Sequence, residues 1–122
     1  MVRGFMGLEF STGEAEFEGR RLHGALTELG NAVIALFWEG EEPRLGTLTV
    51  TLPNRVSSPL LGDRDRLISQ LLGEQLAATY GKMALVSTNL SLSTGSAAGK
   101  TLLDLARKLK GGGGRGPAEA SP

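Results

Sequence analysis

The run Ala32 to Trp38 is the longest unbroken apolar stretch in the chain, and it constrains the fold more than any other segment. It is far too short to cross a bilayer, which takes about 20 residues. Gly30-Asn31 precedes it and Glu39 to Pro43 end it. A short run rich in β-branched and aromatic residues between turn signals predicts a strand. Such a strand has no solvent side, so it belongs in the middle of a sheet with something packed on each face.

The segments around it alternate as half-buried strands do. Ala15 and Phe17 stand between Glu14, Glu16 and Glu18, which predicts one apolar and one solvated acidic face. Gly19-Arg20 reads as a turn, and Leu22 to Leu29 as a second strand. Gly30-Asn31 has the chemistry of a tight hairpin, because both residues tolerate positive φ. Thr47 to Leu52 points Leu48, Val50 and Leu52 one way and three threonines the other, and Pro53-Asn54 closes it. Up to this point the strands predict an antiparallel meander, followed by a loop from Arg55 to Gly62.

The period then changes. Leu67, Ile68, Leu71, Leu72 and Leu76 recur at helical spacing, Asp63 or Asp65 can cap the N-terminus, and Gly81 suits the C′ position. Gly73 inside this helix costs ~1 kcal/mol against alanine, which predicts close approach to a neighbouring backbone. Lys82 to Thr88 reads as a strand carrying Met83, Leu85 and Val86. A Ser/Thr/Gly-rich loop, Ser91 to Ser96, leads to a second helix with Leu102, Leu105, Ala106 and Leu109 on one face, ending near Lys110. Residues 1–110 are therefore expected to form a single α+β domain, a mostly antiparallel sheet of five or six strands with two amphipathic helices. Residues 111–122, beginning with four consecutive glycines, offer almost nothing to bury and are expected to form a disordered Gly/Pro-rich tail.

Composition narrows the function classes. With 13 basic and 13 acidic residues the formal net charge is zero, which removes the long-range attraction a nucleic-acid binder draws on. Cysteine is absent, so no disulfide, thiolate metal site or cysteine nucleophile is available. The N-terminus lacks the pattern of a signal peptide, and the expected location is the cytoplasm, with no membrane partner.

Candidate chemistry is thin. Gly95-Ser96-Ala97-Ala98-Gly99-Lys100-Thr101 resembles a phosphate-binding loop, yet the motif needs four residues between its glycines and this loop has three. A nucleotide-binding enzyme using Gly95 to Thr101 is the minor alternative, beside a generic interaction or scaffold domain. His23, the only histidine, could serve as a base for Ser57, Ser58 or Ser87, but no pattern supports that role and a lone histidine makes a poor zinc site. Arg107, Lys108 and Lys110 complement the dipole at the end of the second helix. Neither a catalytic constellation, a cofactor nor a metal is expected.

Three stretches in order give the chain a likeness to a known family: Leu36-Phe37-Trp38-Glu39-Gly40, Ser58-Pro59-Leu60-Leu61-Gly62-Asp63, and Val86-Ser87-Thr88-Asn89-Leu90. Across about Phe17 to Leu109 it resembles the proteasome assembly chaperone 4 family, and its sister, the chaperone 3 family. The resemblance implies a non-catalytic dimer, with itself or with a related chaperone chain, that binds proteasome α-type subunits and assists α-ring assembly. Some proteasome chaperones dock through a C-terminal hydrophobic-Tyr-any motif. This sequence ends Ala120-Ser121-Pro122, so that mode is not expected.

The partner site is expected in the loop from Arg55 to Asp63 and the start of the first helix: Ser58, Pro59, Leu60, Leu61, Gly62, Arg64 and Arg66. Two adjacent leucines between Pro59 and Gly62 either plug the core or meet a partner. Arg64 and Arg66 would then supply a charged rim that steers an acidic surface.

Overall fold

The computed structural model describes residues 9–54, 56–62, 66–91 and 95–110. The chain runs β1 (Ser11–Phe17), β2 (Arg20–Glu28), β3 (Ala32–Glu39), β4 (Thr47–Thr51), β5 (Ser57–Leu61), α1 (Arg66–Tyr80), β6 (Met83–Asn89), a 3-10 turn (Gly95–Ala98) and α2 (Gly99–Lys110). The six strands form one sheet in the order β1-β2-β3-β6-β4-β5. All pairs are antiparallel except β3 with β6. This is the expected α+β domain, with six strands and two helices.

The hairpin between β1 and β2 turns on Glu18 and Gly19, both at positive φ (52° and 79°), with Phe17 opposite Arg20. The expected turn at Gly19-Arg20 is thus displaced by one residue. Two successive left-handed residues match the twist of a two-residue hairpin. Gly30 and Asn31 do connect β2 to β3, but neither adopts positive φ, contrary to the sequence expectation. There the Leu29 amide donates to the Ala32 carbonyl at 2.7 Å, and the reversal closes without left-handed backbone.

The meander breaks after β3. Instead of β4, β3 takes β6 as its second neighbour, and β4 pairs with the far side of β6. A parallel partner requires a crossover, and the segment through β4, β5 and α1 supplies it. The apolar run is central as expected. Its two faces differ, however. Val33, Ala35 and Phe37 join a core with Ala84 and Val86 of β6, Leu22 and Leu26 of β2, and the apolar stripes of both helices. α1 packs on β4 and β6, and α2 packs on β1 and β2, on that same face. The opposite face carries no helix among the described residues, so within the chain the expected packing is seen on one face.

Helix α1 buries Ile68, Ser69, Leu72, Gly73, Leu76 and Ala77. Its register follows close packing: Ser69 bonds Thr88, and a Cβ at Gly73 would lie 2.3 Å from the Thr51 hydroxyl. Turning these small residues inward turns Leu67 and Leu71 outward, against the expectation that they share the buried stripe. Gly81 closes α1 at φ 66° with its amide on the Ala77 carbonyl, as its position predicted. α2 buries Leu102, Leu105, Ala106 and Leu109 as expected. Leu105 and Leu109 press against the sheet where Gly13 and Gly24 oppose each other.

Candidate protein-binding surfaces

Strand β4 defines the first surface. Its threonines face α1 and are buried: Thr47, Thr49 and Thr51 are 5%, 3% and 0% exposed. Leu48 and Val50 between them therefore point to the opposite, uncovered face, where both are half-buried. A half-solvated strand normally turns its hydroxyls out and its leucines in. Here the order is reversed. Alternation places Ile34 and Leu36 of β3 and Met83 and Leu85 of β6 on the same open face, all half-buried. The result is an apolar face across the three central strands.

The sequence did not single out this face. Thr47 to Leu52 alternates cleanly, but alternation does not say which side meets the helices. That choice goes with the close approach of α1 to β4, where Gly73 lies against the Thr51 side chain with no room for a Cβ of its own. The signal available in advance was the two-sided apolar character of Ala32 to Trp38.

The second surface is the expected partner site. Ser58, Pro59, Leu60 and Leu61 belong to the edge strand β5, so the loop expected from Arg55 to Gly62 is corrected to a strand over Ser57–Leu61. Pairing with β4 holds it there: Thr51 opposes Ser57, Val50 opposes Ser58 and Thr49 opposes Pro59, with an irregularity before Leu48 opposite Leu61. The Thr51 and Ser57 hydroxyls bond at 2.8 Å. Proline is admissible because an edge strand has one unpaired side. Leu60 and Leu61 are 56% and 53% exposed, which removes the core-plug reading. Gly62 takes φ 78° against Thr47. Leu52, Val56, Leu67 and Leu71 are also exposed and lie on the segments that flank β5 and on α1, which packs against it. Arg66 is exposed at the start of α1. Arg55, Asp63, Arg64 and Asp65 lie outside the described residues.

The remaining sequence candidates are placed as follows. His23 stacks on Trp38 and does not meet a serine hydroxyl: Ser57 bonds Thr51, and Ser87 accepts from the Gly46 amide at 2.9 Å. Ala98 is fully buried, and Lys100 forms an ion pair with Asp104 at 3.4 Å. Arg107 pairs with the same carboxylate, and Lys110 stands 5.4 Å over the Tyr80 ring. Among the described residues no group of three metal-binding side chains converges, and no helix is long and apolar enough to cross a membrane.

Neither a family model nor a curated protein sequence matches this chain. Its fold does have solved counterparts. A chain from a chaperone complex for yeast 20S proteasome assembly superposes with a TM-score of 0.66 at 14% identity, covering 85% of this chain and 95% of that one. At that identity the likeness shows a shared fold.

Proposed function

We propose that this chain is a non-catalytic protein-binding chaperone that assists assembly of the proteasome core particle α-ring, working in the cytoplasm as a dimer. The observation that carries this reading is the inverted strand β4, whose threonines are buried while Leu48 and Val50 line an uncovered apolar face with Ile34, Leu36, Met83 and Leu85. Soluble domains seldom leave such a face unpartnered. Sheets satisfy it by packing on another sheet about 10 Å away. A second copy, or a related chain of the same fold, is the partner of matching shape. The fold shared with a yeast 20S proteasome assembly chaperone complex, and the order of the three sequence stretches, support the assembly role.

In this reading the two surfaces divide the work. The open sheet face pairs the two chains, and the β5 edge with Leu60, Leu61, Leu67 and Leu71 meets the α-type subunit, with Arg66 exposed beside it. Sedimentation at micromolar concentration tests the pairing: the wild type runs as a dimer and Leu36→Asp as a folded monomer. A wild type that stays monomeric, with no related chain in the same cell, overturns it. For the client surface, replacing Arg64 and Arg66 together by Glu should lower α-subunit retention at native stability. Unchanged retention at unchanged stability removes this site.

A further inference from the structure

On the open sheet face a row of polar and aromatic side chains borders the apolar centre. Glu14 of β1 opposes His23 of β2, His23 opposes Trp38 of β3, and Trp38 is in register with Asn89 of β6. The His23 and Trp38 rings stack, with centroids 5.5 Å apart and planes within 12°. Trp38 is only 8% exposed. Both Trp38 Nε1 and His23 Nε2 are buried with no hydrogen-bond partner among the described residues. Indole Nε1–H is a donor and nothing else, so it requires an acceptor. Buried donors are almost always paired, and an orphan calls for a physical reason.

Neither polar neighbour along the row bonds the Trp38 indole. The Glu14 carboxylate accepts from Arg21 at 3.0 Å, and the Asn89 amide donates to the Leu45 carbonyl at 3.1 Å. Beside the two rings opens a cavity of about 260 Å³ lined by Thr12, Gly13, Glu14, His23, Gly24 and Trp38. It is large enough to admit a side chain. Leu36 of the apolar face stands two residues from Trp38 on the same side of β3.

We propose that the His23–Trp38 pair is a polar lock on the pairing face, where a second copy inserts an oxygen acceptor into the cavity and receives the Trp38 indole N–H. This inference rests on the pairing reading given above. An apolar sheet face alone leaves the angle and register of two sheets weakly determined, whereas one buried donor that must find its acceptor selects a single docking geometry. His23 contributes the second unpaired nitrogen, and its ring holds the indole in place. In an isologous dimer the contact is made twice.

The test uses Trp38→Phe, which keeps an aromatic ring and removes the N–H, together with His23→Phe. Sedimentation gives the dimer constant, and thermal unfolding of dilute monomer gives the intrinsic stability. The lock predicts that Trp38→Phe weakens the dimer about tenfold or more, from two lost hydrogen bonds, that His23→Phe weakens it less, and that both monomers melt as before. Trp38 is the only tryptophan, so the wild-type indole N–H gives one isolated nuclear magnetic resonance signal. That signal should shift, and its hydrogen exchange should slow, as concentration rises through the dimer constant. If Trp38→Phe does not fold, His23→Phe and the indole signal still decide the matter. A wild-type dimer with an unchanged constant in the variants, or with an indole signal independent of concentration, overturns the lock and leaves the pairing standing. A wild type that never dimerises overturns the lock, and with no related chain in the same cell it overturns the pairing as well.

Discussion

Gly73 of α1 lies so close to Thr51 of β4 that a Cβ at position 73 would stand 2.3 Å from the Thr51 hydroxyl and 3.2 Å from its Cβ. Thr51 is fully buried and tied to Ser57, so it cannot swing away freely. Gly73→Ala would gain ~1 kcal/mol in helix propensity. The clash, costing roughly 1–3 kcal/mol, should outweigh that gain and leave a net loss of up to about 2 kcal/mol. Urea unfolding checks it, and adding Thr51→Ala to Gly73→Ala should recover part of the loss. A Gly73→Ala protein more stable than the wild type would contradict the packing described.

The Ser69 and Thr88 hydroxyls form a 2.6 Å hydrogen bond in the same helix–sheet seam, and both residues are essentially inaccessible. Ser69→Ala leaves a buried hydroxyl unpaired and should cost about 1–3 kcal/mol. Removing both hydroxyls, as Ser69→Ala with Thr88→Val, should cost less than the sum of the single changes. A double-mutant cycle by denaturant unfolding measures the coupling, which additive losses would rule out.

Burial, reinforced by the nearby Glu28 carboxylate, pushes the Tyr80 phenol up from its ordinary value of 10.0. The folded chain thus holds this proton more tightly than the unfolded chain does. The stability tied to Tyr80 is fully present below about pH 10 and is lost as pH rises through the folded-state value. Tyr80→Phe has no proton to lose. Its melting temperature should fall less steeply than that of the wild type above pH 10, and parallel curves would contradict this.

Leu67 and Leu71 stand one helical turn apart on the outer face of α1 and are both exposed. Replacing both by Gln should change folding stability by no more than about 0.5 kcal/mol per site. Binding of α-type subunits should weaken at the same time. A large stability loss would mean that these leucines are structural, and native stability with unaltered binding would remove them from the client surface.

The fold was legible where local chemistry decides it. Gly81 could be placed at the end of α1, Gly73 could be marked as a close approach, though it meets the Thr51 side chain and not the expected backbone, and Leu102 to Leu109 could be assigned to one buried face, because each depends on its own sequence neighbourhood. What escaped depends on distant contacts. Parallel pairing of β3 with β6 is set by a crossover that periodicity does not encode. Pro59 argued for a loop, and only the unpaired edge of the sheet lets β5 exist there. The outward leucines of α1 and β4 follow from small residues meeting across the seam. For the same reason Leu60 and Leu61 were legible as a candidate surface and the larger open face was not.

Capture of the tagged chain from a native lysate of cells that make it, with mass spectrometry of what is retained, tests the assembly role most directly. The account predicts enrichment of proteasome α-type subunits with the wild type, lowered by the Leu67→Gln/Leu71→Gln variant at equal stability. No enrichment of α-type subunits above a mock capture, from a chain shown to be folded, would contradict it.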